Sequence, residues 1–287
     1  MPIDLDIALG AELPGATFSW SDEDIVLYNL AVGCGIPPDE PGELKYTYEG
    51  AGLVAVPTFG TIPPFSIMMS LGAVDGIDVD LARILQGHQR LTIHRPVPTS
   101  GTVTQSGRVV GVYDRGRGAL LVLEVLSSLV GTGQALFTNQ SGIYVRGEGG
   151  FGGDRGPVVG IRAPDREPDQ VVESPTLPQQ ALLYRMASGD KNPLHADPAF
   201  AALAGFDRPI LHGLCTYGIV LHAVVESSLG GEAESVTAYE ARFTGHVFPG
   251  ETLVTSIWAE GDRYIISTVT EERGTTVLGN GALEVDR

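Results

Sequence analysis

An α+β protein of two similar domains, each an antiparallel sheet curled around its own apolar helix, is the fold class this sequence predicts. Three observations predict it. Helical material followed by a run of β-like segments occurs twice within 287 residues. Between the two sets lies RGEGGFGGDRGPVVGIRAPDREPDQVVESPTLPQQ, where Gly, Pro and charge replace any apolar period. A chain of this length supports two domains of ordinary size, and its composition, 43% hydrophobic and 18% charged, is that of a globular protein. The expected units are a first domain over 1–146, a linker over 147–178 and a second domain over 179–287.

In the first domain the apolar run Pro57 to Leu71 predicts the helix. Gln89 to Val97, Thr102 to Tyr113, Gly118 to Val130 and Gln134 to Val145 then read as strands, parted by Gly- or Pro-containing turns. In the second domain Pro198 to Leu203 and Gly213 to Leu229 are helical. Val236 to Val247, Thr252 to Ala259, Tyr264 to Thr270 and Thr275 to Val285 follow as strands, with Pro249-Gly250, Gly261-Asp262 and Arg273-Gly274 as turns. Sequence identity between the halves is too weak to establish a repeat from residues, so duplication is an inference from element order.

Charge and cysteine content narrow the function classes. The formal net charge of -17 repels polyanions, which argues against a nucleic-acid partner. A ligand with a few phosphates remains compatible if a local Arg or Lys cluster meets it; Arg115 and Arg117, with Arg90 and Arg95, are the candidates. Cys34 and Cys215 are the only cysteines, so no disulfide framework exists and a reducing compartment is expected. Met1 to Gly10 lacks the features of a signal peptide, and the longest helical apolar run, Leu214 to Val225, is too short to span a bilayer. A cytoplasmic protein with no membrane partner is the expectation.

The segment YRMASGDKNPLHADPAFAALAGFDRPILHGLCTYG, Tyr184 to Gly218, concentrates chemistry where periodicity is absent. Turn formers place Asp190, Asn192 and His195 on a loop leading into a short helix that starts near Asp197-Pro198. A carboxylate and an imidazole so arranged can hold one water between them and move its proton near neutral pH, which suits hydration or hydrolysis. Downstream, Pro209 to Gly213 runs directly into the apolar helix, so the Gly213 N–H sits at a helix N-terminus without an intrahelical acceptor. With no Cβ in the way, it is a candidate donor to a developing oxyanion.

SGDKNPLHADP followed by GFDRPILHGLCTYG resembles the R-specific enoyl-CoA hydratase family, also called hydratase 2 or MaoC-like dehydratases. KYTYEG, VPTFG, LQGHQRLTIHRPVP, GGFGG and ARFTGHVFPGETL are similar to successive segments of the hydratase unit of peroxisomal multifunctional enzyme type 2, so the resemblance covers nearly the whole chain. It implies a double hotdog fold whose second hotdog supplies the chemistry, while the first, without a catalytic motif, makes room for a bulky acyl chain. The implied activity is a hydro-lyase: reversible syn hydration of trans-2-enoyl-CoA to (3R)-3-hydroxyacyl-CoA in β-oxidation of fatty acyl, branched or steroid side-chain thioesters. Asp190 and His195 match the catalytic dyad, Asn192 the site's amide and Gly213 the oxyanion-hole donor. Phe243 matches a ligand contact, and Gln86, Gly87 and Arg115 match places where relatives touch the coenzyme A moiety. Gln86 stands where relatives can have His, and Met186-Ala187-Ser188 is one residue longer than in close relatives. No metal or redox cofactor is implied, coenzyme A being part of the substrate. The implied partners are a second copy of the chain in a homodimer and a separate (3R)-hydroxyacyl-CoA dehydrogenase downstream.

Plainer readings stand beside these. Asp190 and Asn192 taken alone are turn cappers, and Gly213 taken alone is a small residue at a helix start. His212 reads as a capping or supporting residue, His222 as a satisfied core histidine, and His88, His94 and His246 lack metal-ligand spacing. Gly147 to Gly152 matches G-x-G-x-x-G literally, but no apolar helix follows, so a dinucleotide site is refused. The competing functions are a hotdog acyl-CoA thioesterase and a non-catalytic acyl-CoA-binding subunit.

Overall fold

The computed structural model describes residues 3–79 and 83–286; positions 1, 2 and 80–82 of the expected first domain, and position 287, lie outside the described residues. The first half runs α1 (Leu5–Ala8), β1 (Glu12–Trp20), α2 (Asp22–Ala31), α3 (Pro41–Thr47), α4 (Phe65–Met69), β2 (Ile84–Ile93), β3 (Gly101–Asp114), β4 (Gly118–Leu129) and β5 (Ala135–Arg146). The second runs β6 (Gln170–Pro175), α5 (Gln180–Ser188), α6 (Pro198–Leu203), α7 (Gly213–Ser228), β7 (Val236–Phe243), β8 (Thr252–Glu260), β9 (Arg263–Thr270) and β10 (Thr276–Val285).

The strands pair in the order β1-β3-β4-β5-β2-β7-β10-β9-β8-β6. Read from each outer edge inward, both halves follow the same path: first strand, third, fourth, fifth, second. The duplication inferred from element order is therefore present as repeated topology. The two antiparallel sheets meet edge to edge where β2 pairs with β7, from His88 opposite Arg242 to Thr92 opposite Ala238. Closing these inner edges on each other leaves neither exposed to pair with another chain.

Each sheet has one apolar face to cover. In the second half α7 covers it, and Cys215, Tyr217, Val220, Leu221 and Val224 are buried around its circumference, as in a helix surrounded by protein. In the first half the expected single helix over Pro57 to Leu71 does not form. Pro57–Thr61 is a 3-10 turn, α4 is only five residues, and Ser70–Ala73 is again 3-10. Pro63 and Pro64 explain the break, because neither can donate a backbone hydrogen bond and each disfavours a helical residue before it. Helix α2, capped by the reciprocal Ser21–Asp24 box, packs across the halves instead. A Cβ on Gly218 of α7 would lie 2.6 Å from Val32 and 3.1 Å from the Tyr28 hydroxyl, so this crossing requires glycine.

The end of the expected linker is a strand, since Gln170–Pro175 pairs along β8 as an outer edge. The glycine-rich stretch before it closes on the protein's own carboxylate. Asp114 accepts N–H bonds from Gly116 at 2.7 Å, Gly150 at 2.9 Å and Gly152 at 2.7 Å, and these hold its pKa below the usual range. The amides that a phosphate would need are already occupied. No helix among the described residues is long and apolar enough to cross a membrane.

Candidate functional site

The site is built by a chain of short-range turns after α5. Gly189, in the left-handed conformation at φ 73°, ends the helix. Asp190 Oδ1 then accepts the Asn192 N–H at 2.9 Å, and Asn192 Oδ1 accepts the Leu194 N–H at 3.0 Å. These two Asx turns fix the loop and leave Asp190 Oδ2 for other work. Pro193–His195 forms a 3-10 turn, and Asp197 caps α6 through the Ala199 N–H at 2.8 Å.

His195 is oriented by its Nδ1, which donates to the Ile210 carbonyl at 2.9 Å. A neutral imidazole with a proton on Nδ1 keeps a lone pair on Nε2, the atom a base needs. Burial holds the His195 pKa below the ordinary imidazole value and the Arg185 charge adds to this, while the Ile210 carbonyl and the Asp190 charge oppose it. At neutral pH the ring is an acceptor.

Gly213 opens α7, so its N–H has no partner within the helix. The Phe243 ring lies over it: a Cβ at this position would come within 3.1 Å of the ring. Any larger residue here would crowd that ring by a few tenths of an ångström, and Gly213 itself lines the cavity. Asp190, Asn192, His195, Gly213 and Phe243, all predicted from sequence, line one cavity of about 460 Å³. It extends into the first half, where Thr61, Ile62, Phe65, Met68 and Met69 form its walls in the space left by the broken helix.

The coenzyme contacts expected in the first half divide. Gln86 lines the cavity and donates to Gln89 Oε1 at 3.0 Å. Gly87 sits at the bulge of β2, 3.3 Å from the Gly142 carbonyl if given a Cβ, and Arg115 donates to the Pro157 carbonyl at 3.0 Å; neither lines the cavity. The four arginines expected to meet coenzyme phosphates have different surroundings. Arg90 is engaged across the β2–β7 seam by Glu240 at 3.5 Å and Glu284 at 3.4 Å, because its register places it between two carboxylates of the other half. Arg95 and Arg117 are exposed.

His212, expected to cap or support, has a place in the site that the sequence did not specify. It precedes α7, but its side chain caps nothing. Its ring stacks on His195 with centroids 3.7 Å apart, and Nε2 stands 3.9 Å from Asp190 Oδ2. The Tyr184 ring backs it at 5.0 Å. Burial, reinforced by the neighbouring His195 and the Arg185 charge and opposed by a hydrogen bond to the Asp190 backbone, pushes the His212 pKa down to about 2, so it is neutral. Its position directly before Gly213 was the only available signal. The whole arrangement can hold a water on a carboxylate and a neutral imidazole, facing an amide that can receive negative charge.

Comparison with known proteins gives consistent relatives for both halves. A family model described as MaoC like domain matches residues 161–280, and one described as MFE-2 hydratase 2 N-terminal domain matches residues 18–147. The chain is 45% identical over 283 residues to an enoyl-CoA hydratase of Mycobacterium tuberculosis, covering 98% of each protein. It is 38% identical to the peroxisomal enoyl-CoA hydratase 2 of Arabidopsis thaliana, covering 95% of this chain and 93% of that protein. Among solved structures, a MaoC-like dehydratase from Phytophthora capsici superposes with a TM-score of 0.89 at 30% identity, over 99% of both chains.

Proposed function

The chain belongs to the MaoC-like, hydratase 2 family, and we propose that it hydrates trans-2-enoyl-CoA thioesters to (3R)-3-hydroxyacyl-CoA. The observation that carries this reading is the shared cavity of Asp190, His195 and Gly213, with His195 Nδ1 committed to Ile210 and its Nε2 left to accept a proton.

The thioester carbonyl oxygen accepts from the Gly213 N–H. Its acyl chain extends toward Met68 and Met69, where the walls are apolar. A water held by Asp190 Oδ2 and His195 Nε2 then faces C3. As its oxygen bonds to C3, a proton passes to the dyad, the C2–C3 π electrons move toward the carbonyl, and the enolate charge meets the amide at the start of α7. The dyad returns a proton to C2 from the same face, so one water is consumed and both groups are regenerated. The addition needs no redox step. Its product is a secondary alcohol, the substrate a (3R)-hydroxyacyl-CoA dehydrogenase would oxidise, and a homodimer is the assembly that goes with this reading.

The test follows two signals while the protein is incubated with crotonyl- and decenoyl-CoA. Loss of enoyl absorbance with formation of the (3R) alcohol and no free thiol is expected. Thiol release at a matching rate would instead mean that water attacks the thioester carbon.

A further inference from the structure

One hydrogen bond fixes a point on a ring, not its plane. The bond from His195 Nδ1 to the Ile210 carbonyl, 2.9 Å long, sets such a point. The χ2 torsion of a histidine is broad, so the ring can still pivot on that bond. A base whose Nε2 has to meet one water needs its plane held as well. His212 supplies that constraint, because the two rings stack with centroids 3.7 Å apart and planes only 24° from parallel. The Tyr184 ring packs on His212 in turn at 5.0 Å, and with Tyr184 1% and His212 2% exposed, neither has space to shift.

The polar edge of His212 faces the other member of the dyad. Nε2 stands 3.9 Å from Asp190 Oδ2, and the Asp190 backbone is a hydrogen-bond partner of the ring. No other described group hydrogen-bonds either ring nitrogen. The segment that carries His212 is itself anchored: the Leu211 N–H donates to the Val247 carbonyl at 2.7 Å, and the Ile210 N–H to the Leu194 carbonyl at 3.4 Å. Ile210 to Gly213 thus offers a carbonyl to His195 Nδ1, a ring to the His195 face and to Asp190, and the amide that opens α7.

We propose that His212 is a positioning residue for hydration, which fixes the plane of His195 and the place of Asp190 and ties both to the helix start that carries Gly213. This rests on the dyad reading given above. The proton steps stay with Asp190 and His195, and His212 acts only through them.

The experiment measures kcat and KM for crotonyl-CoA on the full chain, on His212→Phe, His212→Gln and His195→Gln, and on the double variant of His212→Phe with His195→Gln, each with parent-like circular dichroism. His212→Phe keeps a ring face but has no N–H for Asp190, whereas His212→Gln keeps an amide N–H and loses the face. Each should lower kcat at least about tenfold, the scale on which misplaced reacting groups cost rate. KM should stay within about twofold, since only an interaction expressed in the transition state is removed. The double variant should match His195→Gln in kcat within about twofold, because residues that act as a unit do not lose activity additively. Should His212→Phe fail to fold, His212→Gln carries the same cycle. Parent-level kcat in the His212 variants, a loss that falls on KM instead, or a double variant in which the two losses multiply would each overturn the proposal while leaving the hydratase reading in place. A parent chain that does not hydrate crotonyl-CoA would overturn both.

Discussion

Gly213 stands against the Phe243 ring with little space for one more carbon atom. The Phe243 ring stands 3.1 Å from where a Cβ would sit, and that ring and the glycine amide share one stretch of cavity wall. In Gly213→Ala the Phe243 ring or the start of α7 has to give by a few tenths of an ångström, and the proposed oxyanion role predicts that the amide is then misaimed. Loss of one oxyanion donor costs about 10²-fold or more in kcat. Steady-state kinetics on Gly213→Ala should show a fall of this size with a melting temperature close to the parent. An alanine variant with unchanged kcat would remove the amide from the account. That Asp190, His195 and Gly213 would meet was legible from the loop of turn formers, the abrupt helix start and the resemblance carried by SGDKNPLHADP and GFDRPILHGLCTYG, and the three do line one cavity. His212 was not, since stacking on His195 depends on α7 meeting the loop after α5, and no local pattern encodes that meeting.

At the scale of elements, the most consequential feature is a helix that fails to form. The apolar run from Pro57 predicted one, yet Pro63-Pro64 divides it, and the cavity passes through the gap beside Met68. Met68→Trp should fill that space. Hydration of decenoyl-CoA should then fall at least about tenfold relative to crotonyl-CoA, since occluding a near-attack position costs on that order; rates across a chain-length series provide the check, and equal losses for both substrates would contradict the channel. Most strands were readable from alternation bounded by turns. β1 was hidden because Leu13-Pro14-Gly15 resembles a turn and in fact forms a bulge between Leu13 and Ala16. β6 was hidden because an outer edge strand with no fully buried side chain has no apolar period to detect. The start of α2 was available in the Ser21–Asp24 capping pair, although its packing against Gly218 was not.

For the molecule as a whole, the halves form one sheet and share a large core cluster, while a second, smaller cluster lies within the first half. Tyr28 and Phe59 from the first half belong to the same buried cluster as Tyr184, Tyr217 and Leu221 from the second. Two domains could be counted from the sequence, but the β2–β7 seam could not, because register between distant strands leaves no local mark. This shared interior also buries histidines in neutral form. Burial, reinforced by the Arg242 and Arg115 charges, pushes His88 down to about 4, and His212 lies near 2. The unfolded chain binds these protons near 6.5, so stability is retained above that pH and lost as pH falls below it, by up to about 1.4 kcal/mol per pH unit for each group. Melting temperature should therefore drop between pH 7 and pH 5, and His88→Gln, if it folds, should flatten the decline. A midpoint that stays constant or rises over that interval would show that the histidines are not buried neutral.

The chemistry itself is tested most directly by the rate of enoyl-CoA hydration in Asp190→Asn and His195→Gln, each confirmed folded by circular dichroism. Removing an acid–base partner costs about 10²- to 10⁴-fold, so both variants should fall by at least about 10² in kcat with a smaller change in KM. Parent-level hydration in either one would mean that the water is activated elsewhere.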